Sequence, residues 1–287
     1  MKLLICTEKN PYGEGPFGGA ETSMRLLGKE LSARGHRVIY LVAVARPREK
    51  KIAEQEGVQL FGFASAIRNS NTLAYKLGIV VSLAWLLTKH RPEILYCFYQ
   101  LKILRAFSFV KFLSPNAKIV MRMAGLHWYE QLKRSPELQP KYEGYFNSID
   151  CVNYIHPKLE DMVLDRIAEC EMRVVFKNKI VADVGSSAAW EKAKTYVKND
   201  SFNLVMVSRF SDYQKRQDVL IQAMQDLPED CSAKLVLVGE GEKRAEMEEL
   251  ARNLNLAGKI EFMDFMSQEQ LWDFVRRADL VCHAVDY

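Results

Sequence analysis

A chain of 287 residues, 48% hydrophobic and 26% charged with a net charge of +4, has the length and balance of a soluble globular protein with two α/β domains. Its six cysteines (Cys6, Cys97, Cys151, Cys170, Cys231, Cys282) are scattered, which sets aside a disulfide framework and a zinc site. The longest apolar run, LGIVVSLAWLL, is too short to span a bilayer, and the start MKLLICTEKN lacks a signal peptide's apolar core, so a cytosolic setting is expected.

In chain order, MKLLICTE reads as a strand, NPYGEGPFGG as a glycine-rich loop, AETSMRLLGKELSARGH as a helix and RVIYLVAV as the next strand. A turn from a strand through glycines into a helix N-terminus offers outward N–H groups and a favourable dipole to an anion. Gly18 and Gly19 are the candidates there, because a Cβ would keep a ligand away from the backbone. VQLFGF, ILYCFY and KIVMRM come next as further strands, and such near-continuous apolar runs suit a parallel sheet covered on both faces. Between them, a helix from Thr72 to about Lys89 is apolar around much of its circumference and stops before Pro92. LKILRAFSFVKFL is amphipathic, with Lys102, Arg105 and Lys111 roughly on one side, expected as a solvated face or, less often, a contact with anionic lipid.

Past KIVMRM come His127 and Glu130, again at the carboxyl end of a strand, within a polar and aromatic loop from Leu126 to Glu143. His127 could serve as acid, base or hydrogen-bond donor and is the catalytic candidate, an ordinary loop histidine being the alternative. The domain boundary is expected at 198/199, giving domains 1–198 and 199–287.

The second series runs FNLVMVS, helix, AKLVLVG, helix, KIEFM, helix, DLVCHA: four strands and three helices where a doubly wound domain usually has about six strands. The second domain is therefore expected to be incomplete. Arg209 comes after its first strand, and Lys215 lies six residues on, before a helix. Such a pair can grip a diphosphate, the arginine as a fork and the lysine as a point charge; a solvated loop is the alternative. Gly239-Glu240-Gly241 closes the next strand, a weak sign of nucleotide contact. Arg244 stands where a dinucleotide fingerprint needs its third glycine. Glu240 and Glu242 would repel a pyrophosphate, so a base or ribose contact is expected. His283 closes the last strand on the side of Arg209. Residues 1–199 carry 30 basic against 19 acidic side chains, a balance of +11, and the rest 10 against 17, a balance of −7. A basic front half suits an anionic membrane surface or a pyrophosphate-bearing substrate; no nucleic-acid-binding motif is present, and no nucleic-acid partner is expected.

GGAETSMRLLGKELSARGHRVIYL resembles the front domain of retaining glycosyltransferases with the GT-B fold, family 4, where Gly-Gly opens a helix and Gly-His-x-Val turns into the second strand. SRFSDYQKRQDVLIQAM resembles that family's Gly-Arg-(loop)-Lys segment, and the stretch ending in RRADLVCHA resembles the family's next segment through its Ala-Asp-(strand) ending. The resemblance implies two doubly wound Rossmann-like α/β domains, the second truncated. It also implies a nucleoside-diphosphate sugar as donor substrate rather than a resident cofactor, and no metal. Arg209 and Lys215 match the donor-diphosphate pair. The acceptor would be a glycan or a lipid-linked glycan in a bacterial surface-polysaccharide or glycolipid pathway, with the protein peripheral at the inner face of the plasma membrane. Ala124-Gly125 stands where the family often has His-Gly, and Ser208 where it has glycine. The family's two glutamates, seven residues apart, would come after HAVDY. The rival reading is a binding protein or inactive remnant that holds nucleotide or lipid without turnover. A dehydrogenase is disfavoured because the first strand lacks Gly-x-Gly-x-x-Gly.

Overall fold

The computed structural model describes residues 1–13, 19–63, 72–98, 100–123, 136–138, 140, 144, 147–154, 175–177, 201–211, 215–228, 230–266 and 268–284. The chain divides into two compact units, Met1–Ala182 and Asp183–Tyr287. The division expected at 198/199 lies outside the described residues.

The first unit is built on seven parallel strands: β1 (Lys2–Thr7), β2 (Arg37–Val42), β3 (Val58–Gly62), β4 (Ile94–Phe98), β5 (Lys118–Met123), β6 (Cys151–Tyr154) and β7 (Val175–Lys177). Their order across the sheet is β3-β2-β1-β4-β5-β6-β7. The chain builds outward from β1 to β3, then returns to place β4 on the other side of β1. That reversal puts a topological switch point between β1 and β4. Helices α1 (Gly19–Ala33) and α2 (Pro47–Gln55) cover one face, packing on Ile5, Val38, Tyr40, Val42, Tyr96 and Phe98. Helices α3 (Leu73–His90) and α4 (Leu101–Val110) cover the other, packing on Leu4, Cys6, Ile39, Leu41, Leu95 and Met121. Alternate residues of one strand thus serve opposite cores, which is why these strands are apolar throughout. Helix α1 comes close to β2 at Gly28, where a Cβ would stand 2.6 Å from the Tyr40 hydroxyl oxygen. That hydroxyl donates to the Met24 carbonyl. The Thr72 hydroxyl accepts from the Tyr75 N–H at 3.3 Å to start α3, and Arg91 ends it in the left-handed region at φ 47°.

The strands and helices expected from the apolar runs are all present in this unit, joined by β6 and β7, whose sequences carry no comparable run. The basic stripe on and just past α4 is partly solvated and partly paired. Lys102 Nζ lies 3.5 Å from a Glu8 carboxylate oxygen and Lys111 Nζ 2.9 Å from one of Asp150, so two of its three cations are spent on ion pairs; only Arg105 is exposed. The exposed outer face of α3 is instead apolar: Leu73, Leu77, Val81 and Trp85 recur every four residues, with Phe109 and Phe112 exposed at the end of α4 and just past it.

The second unit repeats the same winding: β8 (Asn203–Val207), β9 (Lys234–Val238), β10 (Ile260–Met263) and β11 (Leu280–Val281), all parallel, in the order β10-β9-β8-β11. Its switch point falls between β8 and β11. Helices α5 (Gln217–Ala223), α6 (Arg244–Asn253) and α7 (Gln268–Val275) connect them. Met206, Leu235, Leu237 and Ile260 pack with Ile221, Met247 and Ala251 in the main core.

Candidate functional site

In the second unit the chain runs on past β8 as Ser208-Arg209-Phe210, beside Val238-Gly239-Glu240-Gly241 past β9. The two segments stay hydrogen-bonded beyond the regular sheet: the Ser208 N–H donates to Val238 O at 3.0 Å and the Phe210 N–H to Glu240 O at 2.9 Å. Glycines make this approach possible. A Cβ on Gly239 would stand 2.1 Å from the Ser208 carbonyl oxygen, and one on Gly241 2.1 Å from that of Phe210. The close approach read from Gly-x-Gly is therefore an approach to the chain's own neighbouring loop. Glu240 itself is exposed.

Two side chains fix this loop pair: Gln217, which sequence patterning does not single out, and Arg244, which it marks only as a missing glycine. Gln217, buried at the start of α5, donates from Nε2 to Ser208 Oγ and to Arg209 O, each at 2.9 Å. Arg244, at the start of α6, forms ion pairs with Glu248 at 2.8 Å and Asp264 at 2.5 Å, and reaches Gly239 O at 3.3 Å. Occupying a fingerprint-glycine position, it is a tie between β9 and β10. A buried polar residue opening a helix is a signal that sequence offers only once burial is known.

The loop so held presents Arg209, exposed, and Lys215, half-buried at the approach to α5. Among the described residues neither is joined to a carboxylate, whereas the neighbouring Arg216 is paired with Asp218 at 3.1 Å. Arg209 lies beyond the carboxyl end of β8. His283, exposed, lies beyond that of β11. The two therefore flank the switch point, where open α/β sheets take ligands.

In the first unit, Gly19 opens α1 and a Cβ there would meet open space. Gly18, His127 and Glu130 lie outside the described residues. Across the β1–β4 switch point the Glu8 N–H donates to Gln100 Oε1 at 3.0 Å, tying the two strand ends together. Cys6 and Cys97 face each other in register at the sheet's centre, and burial pushes the Cys97 thiol up to about 12, so it packs as a hydrophobe rather than acting as a nucleophile. Among the described residues no group of three or more His, Cys, Asp or Glu is placed to hold a metal ion, and no helix is long and apolar enough to cross a membrane.

Two successive Rossmann-like units of this kind are the architecture of GT-B glycosyltransferases. Residues 189–287, the stretch that carries Arg209 and Lys215, match the family model described as Glycosyl transferases group 1. Among solved structures, the chain resembles Anabaena Alr3699/HepE in complex with UDP and glucose, with a TM-score of 0.68 at 17% identity over 99% of this chain and 74% of that one. Among curated proteins, it is 28% identical over 144 residues to the lipopolysaccharide core biosynthesis glycosyltransferase LpsE of Rhizobium meliloti, covering 45% of this chain and 40% of LpsE. It is also 28% identical over 118 residues to the uncharacterized glycosyltransferase MJ1607 of Methanocaldococcus jannaschii, covering 39% of this chain and 30% of that protein. The chain thus aligns with less than half the length of either curated relative.

Proposed function

We propose that this chain belongs to a retaining glycosyltransferase of family 4, which moves a sugar from a nucleoside diphosphate to an acceptor in bacterial surface-polysaccharide or glycolipid synthesis. The observation that carries the reading is the pair of uncommitted cations, Arg209 and Lys215, at the carboxyl end of β8, inside the segment that matches the group 1 model. A planar guanidinium fork and a compact ammonium suit a diphosphate. As the bond from the sugar to the diphosphate breaks, negative charge grows on the leaving oxygens, and positively charged groups already in place stabilise that change most. The roles that go with this reading are diphosphate contact for Gly18 and Gly19, base or ribose contact for Gly239, Glu240 and Gly241, and catalysis for His127. The reading invokes no metal and no resident cofactor.

The UDP in the HepE structure and the lipopolysaccharide role in the name of LpsE support the donor class and the pathway. Peripheral attachment to the anionic inner face of the membrane rests on the exposed apolar ridge of α3 and the +11 balance of residues 1–199. Calorimetric titration of the whole chain with UDP and with GDP tests the core of the reading. One of the two is expected to bind at one site per chain, and failure of both would overturn it.

A further inference from the structure

Four neighbouring strands of the first unit end in a single row. Thr7 on β1 stands one residue beyond the Cys6–Cys97 pair, level with Phe98 on β4. Phe98 pairs with Arg122 on β5, and Arg122 with Asn153 on β6. In a sheet, residues level with one another on adjacent parallel strands share a face. Here it is the α1 face, carrying Ile5, Tyr96 and Phe98. The row lies at the carboxyl edge and crosses the β1–β4 switch point, the place where sheets of this kind take ligands.

Three of its members each carry one polar atom that is buried and unpartnered: Thr7 Oγ1, Arg122 Nε and Asn153 Oδ1, on residues 1%, 3% and 4% exposed. The Arg122 guanidinium lies over the Phe98 ring at 5.1 Å, and the Tyr96 hydroxyl is within its reach. Among the described residues it has no carboxylate partner. Arg122 thus places a guanidinium charge in the core. Without a carboxylate beside it, it costs stability that an apolar side chain of similar size would not. Three such groups in one row, on the ligand edge, amount to a set of vacant valences rather than a packing solution.

We infer that this row is the floor of a recognition site for an acidic saccharide, with a carboxylate or phosphate group seated on Arg122. The donor and acceptor inventory sets the class. Arg122 donates only and takes the anion. Thr7 Oγ can donate to it as well. Asn153 Oδ1 accepts only, so it cannot face the anion and takes a ligand hydroxyl instead. A bare anion leaves Asn153 unsatisfied, and a neutral sugar, whose hydroxyls can accept from Nε, leaves the buried charge of Arg122 uncompensated; a polyhydroxylated anion answers both. That this saccharide is the acceptor rests on the transferase reading. The presence of the site does not, because all its residues belong to the first unit.

The test is calorimetry on the whole chain with glucuronate, glucose 6-phosphate, inorganic phosphate and glucose at matched ionic strength, with UDP titrated in parallel. At least one of the two acidic sugars is expected to bind, inorganic phosphate more weakly and glucose not at all. Arg122→Met should weaken the acidic sugar about ten- to hundredfold, the range for one charge-assisted hydrogen bond. Arg122→Lys, which keeps the charge, should retain part of the binding. UDP affinity should be the same in all three proteins. Which acidic sugar binds separates carboxylate from phosphate recognition. Binding of an acidic sugar without any binding of UDP would remove the transferase reading and leave this site standing. Failure of both acidic sugars, affinity unchanged by Arg122→Met, or glucose binding as tightly as glucuronate would each overturn the site.

Discussion

Replacing Gly239 by alanine would strike the contact that holds Arg209 in place. The new Cβ would stand 2.1 Å from the Ser208 carbonyl oxygen and 3.0 Å from its carbon. A carbon–oxygen contact settles no closer than about 3.3 Å, so the Ser208–Arg209 backbone would have to retreat by about 1 Å. It is not free to do so. The Ser208 N–H is bonded to Val238 O at 3.0 Å, the Phe210 N–H to Glu240 O at 2.9 Å, and Gln217 Nε2 holds Arg209 O at 2.9 Å. The backbone at 239, with φ +149°, is also one that a side chain rarely adopts. Strain of this kind costs about 1–3 kcal/mol, and overpacking a similar amount, so a loss of about 2–6 kcal/mol is expected. Nucleoside-diphosphate affinity should fall about tenfold or more, because a displacement of that size is enough to misplace a binding group. Urea unfolding of the second unit, followed by hydrogen exchange in peptides from β8 and β9, measures the stability. Gly258→Ala is the control: a Cβ there meets open space, and a change within about 0.5 kcal/mol is expected. Equal stability of the two variants would show that the back-to-back packing of these loops is not what fixes Arg209.

Burial alone would raise the pKa of Asp150, but the Ile119 N–H and the Lys111 and Lys118 ammonium groups outweigh it and hold the carboxyl below its usual value. The stabilisation is therefore complete above about pH 4 and lost as the pH falls through the lowered folded value. Asp150→Asn should remove this acid-limb loss from urea midpoints of the first unit and cost about 1.5–3 kcal/mol at neutral pH; an unchanged acid limb would contradict the assignment. On the membrane side, vesicles containing anionic lipid should retain the chain at low salt and release most of it near about 0.5 M salt. Leu77→Glu with Val81→Glu, two exposed positions of α3, should reduce retention at least about tenfold without changing stability. Retention that ignores both lipid charge and this pair of substitutions would refute the docking face.

The strands β1, β2 and β4 are legible because each is buried on both faces, so its apolar run is local; β3, at the sheet edge with Gln59 exposed, and β5, with Arg122 inside it, keep enough of such a run to be read. CVNY and VFK, which form β6 and β7, carry no such run; CVNY is a strand because β5 offers an edge to pair with, and VFK because β6 then offers the next, facts that lie dozens of residues away. The same distance dependence separates the two halves of the candidate site. Arg209 and Lys215 could be read from their place between a strand and a helix. The partner of Gly239 could not, because the carbonyl it makes room for belongs to Ser208 on another strand. Lys102 and Lys111 looked like a solvated stripe from helical spacing alone, and only the fold brings Glu8 and Asp150 to them. Arg122 was hidden inside KIVMRM, since sequence cannot show that the carboxylate one would expect beside a buried arginine is missing. The expectations for Gly18 and His127 concern positions outside the described residues.

The central claim is that Arg209 and Lys215 grip a nucleoside diphosphate. Calorimetry of UDP and GDP binding to the whole chain, to Arg209→Ala and to Lys215→Ala, tests it most directly. Each substitution removes one charge-assisted contact and should weaken the bound nucleotide by about 1.5–3 kcal/mol, roughly ten- to a hundredfold, while leaving the urea midpoint unchanged. Wild-type affinity in both variants would contradict the account.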